Sequence, residues 1–318
     1  MRYALGVDLG GTAIKFGLVS EKGEIVERHQ VPTPVGEGSK AIIQKMVEGL
    51  KRLGMKDLAI EGIGVGVPGL IQVEKGVVRL APNLNWHAFP LLSELEEAYP
   101  ARWVIENDAN AALLGERWMG GLKGIQDGLM ITLGTGVGGA ILTQGRLVRG
   151  VGGVAGEIGH IPVNRSGIRC GCGRIGCLET EASATALVRH TKEALQLGRA
   201  SMLEQVLAQN DMLTPMDISV AAEAGDALAQ EMFAKIADWL AFALGGLLNT
   251  LNPEKVLIGG GLAYAGDTLF LPLREALFRY TLDVALEDVT VERAMLGNDA
   301  GMIGAAWLVL HGADPSSA

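Results

Sequence analysis

Residues 3–19 read YALGVDLGGTAIKFGLV and residues 129–143 read LMITLGTGVGGAILT, and these two stretches decide the fold. Each places an apolar run before a glycine-rich turn and another apolar run after it, a pattern typical of two strands joined by a tight hairpin. The turns are Asp8–Thr12 and residues 133–139. Because glycine lacks a Cβ, the backbone N–H groups of such turns can converge on an anion. We therefore predict that both turns face the phosphates of a nucleotide, with two ordinary hairpins as the alternative.

Strands and helices alternate outward from both stretches. The predicted strands are 3–7, 14–19, 25–30, 60–67, 103–106, 129–133, 139–143, 147–148, 256–258 and 289–291. The predicted helices are one that Ser39 caps, one at 91–97, one that starts at Ala109, one at 227–251, one from about Thr268 and a last one from Asp299. Both halves open with a strand, a hairpin and a strand. The sequence thus predicts an α/β protein made by duplication of one unit, with a cleft between the copies.

Composition narrows the class of protein. The 318 residues allow about two domains. The 27 Lys and Arg against 36 Asp and Glu give a net charge of −9 and form no basic cluster, which disfavours binding to nucleic acid or to a membrane surface. No apolar run is long enough for a signal peptide or a membrane span, so we expect a soluble cytoplasmic protein.

Other glycine motifs need separate treatment. The pattern GxGxxG occurs at residues 64–69 and 134–139, but Pro68 interrupts the first and a strand continues after the second. A dinucleotide site needs a helix to begin at the glycines, so this interpretation is disfavoured. The chain also has no GxxxxGK[ST] motif of a P-loop. Gly260 and Gly261 follow a buried strand, and we predict that adenine lies against them; a helix packed close to the sheet is the alternative.

The three cysteines lie close together, at positions 170, 172 and 177. His160 is ten residues upstream and supplies a fourth ligand, so the set predicts a closed, structural Zn²⁺ site. Reduced thiols without a partner and a redox pair are the alternatives. An iron–sulfur cluster is disfavoured because only three cysteines are present.

Eight motifs together resemble one family. In chain order they are VDLGGT, GVPG, NLNW, ENDANAALLGE, LGTGVGG, GEIGH, CGCGRIGCLE and IGGGLA, between residues 7 and 263. This order is similar to the ROK family of sugar kinases and regulators, above all to its ATP-dependent glucokinases, and the resemblance runs from Tyr3 to Leu310. It implies an actin/hexokinase-like fold of two ribonuclease-H-like domains. Residues 1–108, completed by a helix at about 299–312, would form the small domain, and 109–298 the large one, with a zinc loop at 157–179.

The resemblance also implies roles for single residues. It makes Asp108 the catalytic base, whereas its place at a helix start would by itself suggest an N-cap. The implied sugar contacts are Gly69, Asn83, Asn85, Asn107, Asp108, Glu157, His160 and Glu179. The alternatives are that the asparagines belong to an ordinary loop anchored by Trp86, and that Glu157 and Glu179 are solvent-exposed surface charges.

The two turns and Gly260–Gly261 make up the predicted nucleotide site, in which Asp8 could hold a hydrated Mg²⁺. The nucleotide contacts that we expect are Asp8, Gly10, Gly11, Thr12, Lys15, Gly134, Thr135, Gly136, Gly138, Gly260 and Gly261.

The expected reaction is therefore phosphorylation of glucose at its 6-hydroxyl by Mg-ATP, an entry step of glycolysis. Mannose, fructose, N-acetylmannosamine or N-acetylglucosamine as substrate, and polyphosphate as donor, remain open. Regulators of the same family carry a DNA-binding domain ahead of the kinase fold, and a first turn at residue 8 leaves no room for one. The family commonly forms dimers or tetramers, so a homo-oligomer is expected.

Overall fold

The computed structural model describes residues 1–55, 58–210 and 212–312. The described chain divides into two compact units. The first comprises residues 1–129, 140–156 and 294–312, and the second comprises residues 130–139 and 157–293. The predicted domain boundary after residue 108 stays a prediction.

A five-stranded sheet forms the centre of the first unit. Its strands are β1 (Arg2–Leu9), β2 (Ala13–Ser20), β3 (Ile25–Pro32), β4 (Ala59–Val67) and β8 (Trp103–Asn107), in the order β3-β2-β1-β4-β8. The hairpins make β1, β2 and β3 antiparallel, whereas β4 is parallel to both β1 and β8. Because β1, β4 and β8 are parallel, they end at one edge of the sheet, which carries Asp8 and Asn107.

Four helices cover this sheet: α1 (Ser39–Leu50), α2 (Leu91–Ala98), α3 (Asp108–Met119) and α11 (Ala300–His311). Helix α11 packs on β1, β4 and α3. This approach is so close that a Cβ on Gly6 or Gly64 would overlap the backbone of α11. The prediction that Ser39 caps α1 is wrong, because Gly38 occupies the cap position with φ +90° and Ser39 is already helical.

A small antiparallel sheet between β4 and α2 is absent from the sequence-based prediction. It consists of β5 (Leu70–Gln72), β6 (Val77–Ala81) and β7 (Trp86–Phe89). The strands have 3, 5 and 4 residues, which is too short for a clear alternation of apolar and polar side chains.

A second five-stranded sheet repeats the topology of the first. Its strands are β9 (Gly128–Leu133), β10 (Val137–Thr143), β11 (Arg146–Leu147), β12 (Lys255–Gly259) and β13 (Thr290–Arg293), in the order β11-β10-β9-β12-β13. The third, second, first, fourth and fifth strands of each copy thus lie side by side in the same order. Again the outer hairpin is antiparallel and the last two strands are parallel. The predicted duplicated α/β fold is confirmed.

The remaining helices belong to the second unit. They are α4 (Leu178–Ala182), α5 (Ala184–Gln196), α6 (Leu203–Asn210), α7 (Pro215–Glu223), α8 (Ala227–Leu251), α9 (Asp267–Leu277) and α10 (Asp283–Glu287). Helix α8 packs against α4, α5 and α9. Its predicted bounds are confirmed, with Asp226 as N-cap and Asn252 as left-handed C-cap. Among the described residues, no helix combines the length and the apolar character needed to cross a bilayer.

Candidate active site

Asp108 lies where β8 passes into α3. It is the first residue of the helix, and its Oδ1 accepts from the N–H of Ala109 at 2.9 Å. The N-cap is Asn107, whose Oδ1 accepts from the N–H of Asn110. The alternative interpretation of Asp108 as the N-cap of this helix is therefore wrong.

Sequence reasoning missed the buried pair behind this junction. Glu106 is 1% exposed, and its Oε1 accepts from the N–H of Asn107 and from the side chain of Asn110, both at 3.0 Å. Its Oε2 accepts from Arg149 Nε at 2.7 Å. The sequence does contain a signal for this pair, because a glutamate in an apolar strand such as β8 needs a buried polar partner. The pair fixes the backbone that carries Asn107 and Asp108.

The other predicted sugar contacts of the first unit lie just before β5, between β6 and β7, and at the end of β8. Asn107 Nδ2 donates to the carbonyl of Gly69 at 3.1 Å, which brings these two residues together. Asn83 and Asn85 are exposed, and Asn85 adopts a left-handed conformation with φ +56°. Trp86, the first residue of β7, is 3% exposed and anchors the preceding loop in the core.

The first glycine turn, residues 10–12, is held by a short hydrogen-bond network. Gly10 N–H donates to the carbonyl of Ala13 at 2.9 Å, and Thr33 Oγ1 donates to the carbonyl of Gly10 at 2.7 Å. Lys15 Nζ lies 3.0 Å from Asp8 Oδ2, as expected for residues paired across β1 and β2. The exposed Thr12 and the half-buried Gly11 complete the turn, and Gly11 lies against Asn83.

The second glycine turn, residues 134–136, directs its carbonyl groups into the protein. The carbonyl of Gly134 accepts from the N–H of Ala184, and that of Thr135 accepts from Thr185 Oγ1 at 2.8 Å. In a trans peptide the C=O and the following N–H point in opposite directions. The N–H groups of Thr135 and Gly136 therefore point away from the start of α5, as a phosphate-binding turn requires. Gly138 follows in β10.

The third glycine segment lies next to this second turn. Gly260 has φ +81°, and a Cβ there would overlap the backbone of Leu133 at the end of β9. Only glycine combines this conformation with such a close approach. Gly260 and Gly261 are exposed, so the segment presents bare backbone beside the second turn.

The three cysteines and His160 converge as the spacing predicted, and their ligand atoms all lie within 4.8 Å of one another. Cys172 Sγ is 3.6 Å from Cys177 Sγ, and His160 Nδ1 is 3.6 Å from Cys170 Sγ. A disulfide needs about 2.05 Å between the sulfurs, whereas the edges of a tetrahedral zinc site measure about 3.6–3.8 Å. The donor set and its spacing therefore fit Zn²⁺. Burial raises the pKa of Cys170 to about 12, so a thiolate at this position needs a cation to offset the cost of burial.

Two carboxylates lie beside this cluster. Glu157 Oε2 is 3.8 Å from His160 Nε2, and burial raises the pKa of this glutamate. Glu179 Oε1 accepts from Cys170 Sγ at 3.5 Å, and its Oε2 accepts from the N–H of Val137 at 3.1 Å. His160 thus turns one ring nitrogen to the cysteines and the other to Glu157. The hydrogen bond from Val137 is a contact that sequence reasoning missed.

The structure thus groups the predicted residues by unit. In the first unit it brings together Gly69 with Asn107, Asp8 with Lys15, and Gly11 with Asn83. In the second unit it brings together the metal-ligating set, Glu157, Glu179 and the second turn. The roles of these residues in binding and catalysis stay predictions.

Comparison with known proteins agrees with this arrangement. The family model described as "ROK family" matches residues 4–311. A glucokinase of Halalkalibacterium halodurans is 43% identical, over 97% of this chain and 95% of that protein. A xylose repressor of Caldicellulosiruptor bescii is 32% identical, over 96% of this chain and 77% of the repressor.

Among solved structures, a ROK family glucokinase from Streptomyces griseus, in complex with glucose and AMPPNP, has a TM-score of 0.85. It is 35% identical, over 96% of this chain and 98% of its own. A match that spans nearly the whole chain, together with a duplicated sheet and both glycine turns, leaves one assignment: the chain belongs to the ROK family.

Proposed function

We propose that this chain is a glucokinase, which transfers the γ-phosphoryl group of ATP to the 6-hydroxyl of glucose. The observation that carries this proposal is its 43% identity to a glucokinase over nearly the full length of both proteins. The structural likeness to a glucokinase that binds glucose and AMPPNP supports the same substrates. The repressor is a more distant relative, at 32% identity.

Asp108 is the proposed general base. Its carboxylate accepts the proton of the sugar hydroxyl while the hydroxyl oxygen attacks the γ-phosphorus and the bond to the β-phosphate oxygen breaks. Asn107 is fixed at both ends of its amide, by Asn110 and Gly69, and offers the remaining donor and acceptor positions to the sugar. The exposed Asn83 and Asn85 are the proposed further sugar contacts in the first unit.

Nucleotide contacts come from each unit separately. In the first unit, Gly10, Gly11 and Thr12 offer backbone and hydroxyl donors, and the Asp8–Lys15 pair supplies one charge for Mg²⁺ and one for phosphate. In the second unit, the amides of Thr135 and Gly136 are directed outward, and Gly138 continues the same backbone. Gly260 and Gly261 give a flat surface for adenine.

Zinc is the proposed resident metal, held by His160, Cys170, Cys172 and Cys177. When bound it supplies a closed structural crosslink and no position for a reacting water. Cysteine ligands must lose their protons, so Glu179 Oε1 then loses its thiol donor and is free to accept from a sugar hydroxyl. His160 Nε2 and Glu157 are the proposed partners of further hydroxyls.

The test is a coupled assay of ATP consumption with glucose, mannose, fructose and the N-acetylhexosamines, repeated with polyphosphate in place of ATP. We expect ATP-dependent turnover that is fastest with glucose. Absence of turnover with every sugar refutes the kinase proposal, and turnover restricted to an N-acetylhexosamine refutes the assignment of glucose.

Two further proposals concern the cellular compartment and the oligomeric state. We propose that the protein works in the cytoplasm, where glucose 6-phosphate enters glycolysis. We also propose a homo-oligomer, a dimer or tetramer, which light scattering coupled to size-exclusion chromatography tests directly; a strictly monomeric active enzyme would contradict it.

A further inference from the structure

We propose that Glu179 is a positioning residue for the second glycine turn and that it ties this turn to the zinc loop. This inference rests on the proposed function and concerns how the nucleotide site of the second unit keeps its shape. The resemblance assigns Glu179 only to the sugar. The contacts of its second carboxylate oxygen point to an additional role.

The first contact is a hydrogen bond to the turn itself. Glu179 Oε2 accepts from the N–H of Val137, which directly follows the turn and is 6% exposed. The same oxygen lies so close to Gly136 that a Cβ there would overlap it. Of the three successive amides in this segment, those of Thr135 and Gly136 are therefore left for phosphate, and the third is held by a carboxylate.

The carbonyl side of Val137 is held as well, by the backbone of the zinc loop. A Cβ on Gly159 would overlap the carbonyl oxygen of Val137, so the loop backbone packs directly on this peptide group. Gly159 immediately precedes the metal-ligating His160. Val137 is thus held through its N–H by Glu179 and through its C=O side by Gly159.

The position of Glu179 in turn depends on the cysteines. It lies in the first turn of α4, two residues after Cys177, which is the N-cap of this helix. A metal that fixes Cys177 fixes the start of α4 and with it the carboxylate. The zinc loop would therefore set the direction of the amides that receive phosphate, in addition to aiming groups at the sugar.

The experiment measures nucleotide binding without sugar. The Kd of Mg-AMPPNP is determined by titration calorimetry for the wild-type chain, Glu179→Ala, Glu179→Gln and the matched control Glu181→Gln. Glu181 lies in the same helix, but its carboxylate accepts from the side chain of Asn164 instead of from the turn. We expect Glu179→Ala to bind about tenfold more weakly, since a hydrogen bond to a charged acceptor is lost. Glu179→Gln keeps an acceptor oxygen and should stay within about threefold, as should the control.

A second measurement does not require nucleotide. Hydrogen–deuterium exchange of a peptide that covers residues 130–140 should show one amide, that of Val137, exchanging faster in Glu179→Ala and slowly again in Glu179→Gln. Thermal unfolding of each variant identifies a general loss of structure. Unchanged exchange and unchanged Kd in Glu179→Ala, in a chain whose wild type phosphorylates glucose, overturn this inference alone.

Removal of the metal completes the test. Wild-type protein stripped of zinc by a chelator should lose nucleotide affinity, and restored zinc should return it. If the coupling passes through Glu179, removal of zinc from the Glu179→Ala variant causes little further loss of nucleotide affinity, because the two perturbations break the same connection. Fully additive losses overturn the coupling. A wild type that neither binds Mg-AMPPNP nor phosphorylates any hexose overturns the proposed function instead, while the exchange result still reports on the contact.

Discussion

Replacing Arg149 by methionine should destabilise the first unit, because it leaves the carboxylate of Glu106 without its cationic partner. The side chain of Glu106 is 2% exposed, and Arg149 Nε lies 2.7 Å from it. Removing one partner of a buried pair costs about 3–5 kcal/mol. The expected loss is smaller here, since the Arg149 side chain is 21% exposed and Glu106 keeps the donors from Asn107 and Asn110. We expect about 2–3 kcal/mol.

The assay is thermal unfolding followed by circular dichroism and calorimetry. A loss of this size lowers the Tm by about 4–12 °C, at about 2–4 °C for each kcal/mol. Adding Glu106→Gln to the Arg149→Met background removes the unpaired charge while keeping an acceptor for Asn107 and Asn110. The double variant should therefore melt higher than Arg149→Met alone. A single variant that melts within about 1 °C of wild type, or a double variant that melts lower, would refute the reasoning.

Three further predictions concern the proposed general base, the proposed zinc site and a buried histidine. Asp108→Asn should lower kcat by several orders of magnitude and leave glucose binding intact, measured by steady-state kinetics and calorimetry; a near-wild-type rate removes the general base from Asp108. Elemental analysis should find one zinc per chain, and Cys172→Ser should reduce that content; a metal-free, fully active preparation contradicts the zinc proposal. Burial and the neighbouring Arg189 and Lys235 lower the pKa of His190 to about 4, so stability should fall as the pH drops from about 6.5 to 4, and His190→Gln should flatten this part of the profile of Tm against pH.

The sign of the last prediction follows from which state binds protons. The folded protein holds His190 neutral, whereas the unfolded chain protonates it below about pH 6.5. The contribution of His190 to the free energy of unfolding is therefore fully present above about pH 6.5 and is lost as the pH falls toward 4. The charges that face it are Glu181, Glu193, Arg189 and Lys235.

The strands of the two five-stranded sheets, the long helix and the cluster of His160 with the three cysteines could be predicted because their signals are local. A strand such as β4 reveals itself by nine consecutive positions, and Cys170, Cys172 and Cys177 lie within eight. Periodicity and ligand spacing are properties of a short window, so one sequence is enough to read them. The duplication was predictable for the same reason, as two similar windows occur far apart.

The contacts that support the site were not predictable by this route. Arg149 and Glu106 are 43 residues apart, and Val137 and Glu179 are 42 apart. No local pattern distinguishes Arg149 from the other arginines, and the acceptor of a backbone N–H leaves no trace in the residue type that donates it. The prediction of the N-cap of α1 was wrong for a different reason. Both Gly38 and Ser39 are acceptable N-cap residues, and only the backbone conformation decides between them.

The two glycine turns show how one duplicated element acquires two different supports. Each joins two strands by three residues, 10–12 and 134–136, and each begins with a glycine whose N–H closes the turn. Asp8 and Lys15 in the first copy correspond by position to Thr132 and Gly139 in the second, so the second turn lacks the cross-strand ion pair.

Its support comes from outside the repeated hairpin instead, from the start of α5 through Thr185 and from the zinc loop through Glu179. A turn that binds anions must keep its amides directed outward without an anion present, and so its carbonyls and its remaining N–H need partners within the protein. In the first copy the hairpin itself and Thr33 meet this need. In the second copy the inserted loop meets it, which gives the proposed metal site a reason to lie beside the proposed nucleotide turn as well as beside Glu157 and Glu179.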